Sequence, residues 1–460
     1  MIQWCGRFTR VLMKAYGIDF GTSNSTVAVW NDGQVSVLPL EPEGSTVVRS
    51  VIYIHPEKVP LIGQKAIKAY LDDVAAGEPL KLEEKFTGKY IQMPKPMGVS
   101  GYRGEMMVPQ VIMVEAGNRG RLLQGLKSIL TSKAFKGTEL FGKDYSLEEL
   151  LAIYLGSLKE KADKLMGEEI KRVVLGRPVK YVGQADEKLA MERMEKVATA
   201  IGFEEVKFEL EPTGAALGYG QNVSTPQKIL VFDFGGGTLD ISIVEFPAGK
   251  VLAVVGVPIG GDLINSQIFK ARIAKYFGSE VKFGSRGLPW PSFIEQALKN
   301  WYSISLLKTK QFLDSLEDLI FIASDQAPIK ALRDLVVYNL GFLLYERIDE
   351  AKRRLSSDFL ARIDMDEQLI HIHEELSRDD FVILIRDLLG RIEDCVNEGL
   401  MLANIEAKNI DKVVTTGGSS LIPAARCLLE KIFDREKIVQ YDTFSGVATG
   451  LAVRAGQVFG

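Results

Sequence analysis

One short pattern occurs twice and limits the fold more than anything else in the chain. Residues 16–30 read YGIDFGTSNSTVAVW, and residues 230–246 read LVFDFGGGTLDISIVEF. Each is an apolar strand, an Asp-Phe-Gly corner, small turn residues, and a second strand alternating apolar with small polar side chains. Glycine permits the tight turn, and the period of two marks a half-buried strand. A single hairpin of this kind would say little. Two of them, one near the start of each half of a 460-residue chain, predict two related lobes, because that length exceeds what one hydrophobic core supports.

Between and beyond the hairpins, helices are expected over 146–165, 188–201, 262–277 and 338–357. Short strands are expected over 172–175, 206–210 and 413–416, the last running into Gly417-Gly418-Ser419. The polar stretch 222–227, with Pro226, marks a lobe boundary. The predicted division is a disordered leader over 1–14, a lobe over 15–225 with an insert at about 44–145, and a lobe over 226–460 with an insert at about 263–378. Trp290, Trp301 and Tyr302 fall in or near a Gly/Pro-rich stretch and read as the aromatic core of an inserted subdomain. His371 and His373 share one strand face, too few ligands for a metal.

Composition removes several classes of function. Hydrophobic residues make up 46% and charged residues 25%, an ordinary globular balance, and the net charge of -4 gives no general attraction to nucleic acid or anionic membrane. Cys5, Cys395 and Cys427 are too scattered for a disulfide framework or a zinc module. No apolar run reaches membrane-spanning length and no signal-peptide core opens the chain, so a cytoplasmic location is expected.

The repeated corner carries chemistry. Backbone N–H groups of a glycine turn cradle phosphate oxygens, while a strand-end carboxylate holds magnesium directly or through water. Asp19-Phe20-Gly21-Thr22-Ser23-Asn24 and Asp233-Phe234-Gly235-Gly236-Gly237-Thr238 both meet this requirement, and two such loops face to face would clamp a triphosphate. The commoner G-x-x-x-x-G-K-[ST] loop is absent, and no G-x-G-x-x-G opens a helix after a strand.

Taken in order, residues 16–30, 211–220, 232–242, 351–357 and 413–423 resemble the successive signatures of the seventy-kilodalton heat-shock chaperones. Gly176-Arg177-Pro178 and the insert around Leu288-Pro289-Trp290 look most like the short YegD-like branch of the bacterial DnaK relatives. The resemblance implies an α/β, actin-like ATPase (ribonuclease H-like) fold, with two lobes, each a twisted mixed sheet with an inserted subdomain, around a central nucleotide cleft. It implies ATP/ADP and Mg2+ as cofactors and a protein partner or client.

Carried over, Gly21, Thr22, Ser23, Asn24, Gly235, Gly236, Gly237 and Thr238 would surround phosphate, and Asp19 and Asp233 would hold magnesium through water. Glu211 would orient the attacking water or sense the magnesium shell, with Asp240 as a second carboxylate nearby. Gly417, Gly418 and Ser419 would line the adenosine, joined by Lys352, Arg353 and Ser356; a guanidinium stacks well on a purine.

Three departures stand out. The family's catalytic lysine follows V-G-x-x-A-K, but Ile67 occupies that place, flanked by Lys65 and Lys68. Lys68 is the candidate stand-in, against the alternative of a helix-surface lysine. Leu421 replaces an arginine expected near adenine. The sequence stops at Gly460, where the chaperones continue into a linker, a peptide-binding β-sandwich and a helical lid, so an engine without the usual clamp is expected. A slow ATPase acting as a conformational switch is the leading expectation; a non-enzymatic or filament-forming module and a small-molecule kinase are the alternatives.

Overall fold

The computed structural model describes residues 13–94, 105–116, 119–133, 135–181, 186–221, 223–299, 303–304 and 307–460. Of the leader expected over 1–14, residues 1–12, with Cys5, lie outside these residues, as does the aromatic pair Trp301 and Tyr302, while Lys14 already opens the first strand.

Both expected hairpins form. Lys14–Phe20 pairs antiparallel with Asn24–Asn31, and Gln227–Phe234 pairs antiparallel with Leu239–Phe246. Their corners close identically: the Gly21 N–H donates to the Asn24 carbonyl and the Gly235 N–H to the Thr238 carbonyl, each at 3.0 Å. At Gly21 a Cβ would lie 2.2 Å from the Asn24 carbonyl oxygen, so only glycine fits this corner.

Each hairpin grows into a five-strand array of the same order. In the first lobe, Gln34–Val37 adds beside the hairpin, and Arg172–Arg177 and Glu205–Leu210 add in parallel on its other side. In the second, Lys250–Val257, Lys412–Thr416 and Ile438–Gln440 occupy the corresponding places. A short extra strand, Val48–Arg49, pairs with the first hairpin at Asn24 and Ser25. The parallel strands are covered on both faces, which is why Val173, Val174 and Leu175, or Val413 and Val414, read as continuous apolar runs.

The last parallel strand of each array leads into a helix, Glu211–Gly220 in the first lobe and Gly446–Phe459 in the second. Each helix crosses over. Glu211–Gly220 packs on the second hairpin, and Gly446–Phe459 packs on Lys14–Phe20, Asn24–Asn31 and Arg172–Arg177 of the first lobe. The chain beyond residue 446, which the sequence assigns wholly to the second lobe, therefore lies on the first lobe's sheet. Where the two helices meet, glycine faces glycine: a Cβ on Gly450 would sit 1.6 Å from the Gly214 carbonyl oxygen, and one on Gly218 2.7 Å from that of Gly446.

The inserts rise above this base. The first lobe carries a small sheet of Val51–Ile54, Leu61–Ile62 and Arg121–Gln124 against the helix Gly63–Ala75, plus the hairpin Lys81–Pro94 with Glu105–Ala116. In the second lobe the helix expected over 262–277 is broken. Gly261–Ile268 continues through a π turn at Phe269–Ile273 and a 3-10 turn at Ala274–Phe277, which turn Phe269, Ile273 and Phe277 into the core; Phe269 stacks on both Phe277 and Tyr345. The helix expected from 338 starts instead at Gly341 and runs to Arg354, because Asn339 takes a left-handed backbone with φ 58°. His371 and His373 do share an exposed strand face, where they meet Asp366 and Asp364. The two inserts touch: the Tyr70 hydroxyl donates to the Asn339 carbonyl at 2.6 Å and the Leu80 N–H to the Val337 carbonyl at 2.8 Å. Among the described residues, no helix is long and apolar enough to cross a membrane.

Candidate nucleotide site

The two corners approach one another at the base of the cleft. A Cβ on Gly236 would lie 2.6 Å from the Ser23 hydroxyl oxygen of the opposite loop. Above them opens a cavity of about 520 Å³, within the range of small-molecule sites.

Almost every residue expected from the sequence lines this cavity. From the first loop come Asp19, Gly21, Thr22, Ser23 and Asn24, and from the second Asp233, Gly235, Gly236, Gly237 and Thr238. Glu211 reaches it from the start of its helix. Lys352, Arg353 and Ser356 reach it from the second lobe's insert, and Gly417, Gly418 and Ser419 from the end of a central strand. The Ser419 hydroxyl donates to the Gly235 carbonyl at 2.8 Å, tying the turn after the central strand to the second glycine loop. Gly417, with φ 79°, packs so closely that a Cβ would meet the Phe234 carbonyl at 2.4 Å.

Two expected residues stand elsewhere. Asp240 lies beneath the second loop, 1% exposed, accepting from the Val179 N–H at 2.8 Å and from the Thr238 hydroxyl at 2.6 Å. Lys68 does not line the cavity at all. On the helix Gly63–Ala75, Ala66 and Tyr70 face inward, which leaves Lys65 and Lys68 on the exposed side. The stand-in role expected for Lys68 has no geometric support.

The floor of the cavity holds a cluster of carboxylates and one ammonium. Lys127 Nζ lies 2.5 Å from Glu211 Oε1, both side chains nearly buried. Burial, and then the neighbouring Glu211, push the Asp19 carboxyl up to about 7 and hold Asp233 well above the usual carboxylate range. Asp240 is pushed up to about 7 for the same two reasons. Burial opposes the charge on Lys127, yet Glu211 and Asp19 outweigh it and hold the ammonium above its ordinary value. Such a cluster lacks positive charge.

Among the described residues no group of three or more ligating side chains forms a cage that could hold a metal unaided. Two aspartates opening beside glycine loops nonetheless suit magnesium, which takes few carboxylates and keeps its waters and phosphates. At the opposite wall, Asn265 Oδ1 and Arg49 Nε are buried without a hydrogen-bond partner, and both residues line the cavity, so polar atoms remain for a ligand to satisfy.

Several lining residues have no signal in the sequence. Arg49 makes an ion pair with Glu346 that joins the first lobe to the second lobe's insert. Asp349 binds Lys352 at 2.6 Å and accepts from the Asn265 amide at 3.1 Å; despite burial, Lys352 holds its carboxyl down to about 2. Asp262 is pushed up to about 6 by burial, against the pull of Lys352. Phe444, Val447 and Tyr345 join Leu421, the residue already noted in the sequence, in the apolar part of the lining.

Duplicated lobes, each giving one phosphate-sized loop to a shared cleft, define an actin-like ATPase fold. The Hsp70 protein family model matches residues 127–286 and 342–460, more than half of the chain. The chain belongs to the Hsp70 family. It is 27% identical over 450 residues to the chloroplastic heat shock 70 kDa protein 7 of Arabidopsis thaliana, covering 97% of this chain and 52% of that protein. It is likewise 27% identical over 462 residues to the chaperone protein dnaK of Gracilaria tenuistipitata var. liui, covering 98% of this chain and 61% of that one. The chain thus spans between half and two thirds of the length of these curated relatives.

Proposed function

We propose that this protein binds ATP with magnesium in the interlobe cavity and hydrolyses it slowly, using the nucleotide to set the separation of its lobes and so its grip on a protein client. The observation that carries the reading is the meeting of two identically closed Asp-Phe-Gly corners across one cavity, with Glu211 between them. Membership of a family whose relatives are named as chaperones supports the client.

In this reading the loop residues bind the phosphates, Asp19 and Asp233 hold the magnesium shell, and Arg353 with Leu421 and Phe444 receives the base. Magnesium would neutralise phosphate charge when bound. Glu211 orients a water whose oxygen bonds to the terminal phosphorus as the bond to the bridging oxygen breaks. ADP leaves with that electron pair. One water proton stays on the inorganic phosphate and the other passes to solvent. Positioning and charge stabilisation supply most of the acceleration in such transfers.

The test is calorimetric titration of wild type and Asp233→Asn with magnesium-ATP, followed by single-turnover phosphate release. Tight binding with slow release in wild type, both weakened in the variant, is expected. Absence of magnesium-ATP binding by wild type would refute the reading.

A further inference from the structure

We propose that Lys127 is the cation that meets the terminal phosphate, and that it is shared with Glu211 so that arrival of this phosphate frees Glu211 to act on water. The inference rests on the ATPase reading above and assigns a role in it to a residue from the first lobe's insert.

The chain brings Lys127 to the floor by construction. The strand Arg121–Gln124 ends at Gly125, whose left-handed backbone, φ 74°, turns it into the 3-10 turn Leu126–Ile129. Leu126 anchors that turn in the first lobe's core while Lys127, the next residue, lines the cavity. The Ser128 N–H closes the turn onto the Gly125 carbonyl at 3.0 Å. The ammonium is therefore placed by a fixed backbone, and its stem is largely enclosed.

Other cations on the cavity wall are already engaged on the insert side. Arg49 pairs with Glu346, and Lys352 and Arg353 both pair with Asp349. Lys127 is the cation whose field reaches Asp19, Asp233 and Asp240. On the cavity floor Asp19, Asp233 and Glu211 share this one ammonium. A triphosphate entering there needs positive charge at its leading end, and a preorganised ammonium provides it without reorganisation. The expected alternative, Lys68, lies outside the cavity.

Sharing follows from the pairing. Without nucleotide, Lys127 rests on Glu211 Oε1 at 2.5 Å, and ADP, which brings no terminal phosphate, would leave it there. A terminal phosphate draws the ammonium toward itself, and the Glu211 oxygen it leaves becomes the acceptor for the attacking water. One side chain thus both binds the terminal phosphate and reports its presence.

The experiment compares wild type, Lys127→Ala, Lys127→Arg and Lys68→Ala. Affinities for ADP and for a non-hydrolysable ATP analogue are measured by calorimetry with magnesium present, and single-turnover hydrolysis is followed separately. For Lys127→Ala the expected result is at least a 100-fold slower turnover, on the order of what one lost charge-stabilising donor costs. Its affinity for the analogue should fall about tenfold while that for ADP stays within twofold, the loss of one charge-assisted contact. Lys127→Arg should recover most of the analogue affinity, and Lys68→Ala should match wild type throughout. If Lys127→Ala fails to fold, Glu211→Gln is compared with Lys127→Gln/Glu211→Gln. The single variant should keep its preference for the analogue over ADP, and the double should lose it. Retention of that preference in Lys127→Ala, or in the double variant, overturns the assignment. A wild type that hydrolyses ATP beside an unaffected Lys127→Ala refutes this inference alone; a wild type that binds no magnesium-ATP refutes the proposed function as well.

Discussion

Asp240 makes the electrostatic cost of this site measurable. It sits directly opposite Asp233 in the second hairpin, is 1% exposed, and has its carboxyl pushed up to about 7 by burial and by Glu211. An unfolded aspartate titrates near 4, so between about pH 4 and 7 the folded protein holds a proton that the unfolded chain has released. A raised carboxyl pKa contributes against stability above the unfolded value, so stability falls as pH rises through this window and levels off above about 7. Each unit is worth about 1.4 kcal/mol, so the ceiling is about 4 kcal/mol, approached only if the native state does not relax. Asp240→Asn removes the titration, and its amide oxygen can still accept from the Val179 N–H. The melting temperature of nucleotide-free, magnesium-free Asp240→Asn should therefore exceed that of wild type by an amount that grows from about pH 4 to 7 and then stays constant. Differential scanning calorimetry across this range reads it directly. A difference that is flat with pH, or that shrinks as pH rises, would show that Asp240 is not held neutral by its surroundings.

Three other outcomes follow from the same geometry. Arg49→Ala should speed release of a fluorescent nucleotide about threefold to tenfold in stopped flow, because a partly buried pair with Glu346 is worth on the order of 1 kcal/mol; a rate equal to wild type would deny that this pair holds the lobes together. Gly450→Ala should destabilise by roughly 1–3 kcal/mol or more, since its Cβ would meet the Gly214 carbonyl at 1.6 Å, whereas Gly390→Ala, mid-helix with open space around it, should stabilise by about 0.5–1 kcal/mol; urea midpoints for the two compare them in one assay. Chelating magnesium should weaken ATP binding by at least tenfold in equilibrium titration, as the phosphates would then face Asp19 and Asp233 with Lys127, among the described residues, as the one cation on the floor; equal affinities would remove these aspartates from the magnesium shell.

What the sequence made legible was local. Each Asp-Phe-Gly corner holds its strand end, glycine and turn residues within six positions, so the loop chemistry and the duplication could be read directly. Glu211 could be placed because residues 211–220 resemble one of the family's signatures, and the structure starts a helix at that residue. Lys127 could not, because nothing in Gly125-Leu126-Lys127-Ser128 distinguishes a cavity-facing lysine from a surface one, and its partner lies 84 residues away. Lys68 was misplaced for a physical reason. Ala66 and Tyr70 form the inward stripe of that helix, and a residue two positions from either falls on the far side. The crossing of Gly446–Phe459 onto the first lobe was equally hidden, since its packing partners lie hundreds of residues upstream.

That crossing has a geometric meaning of its own. Gly214 and Gly218 on one helix meet Gly446 and Gly450 on the other, the same four-residue spacing on both sides, and each helix rests on the sheet of the opposite lobe. This is the form of an isologous contact, in which two copies of one patch are related by a twofold axis, here enclosed within a single chain. Bare backbone at the closest approach makes this a narrow seam, flanked by Leu451 beside Gly214 and by the edge-on rings of Tyr219 and Tyr441, on which ligand contacts in the cleft above can act from both sides.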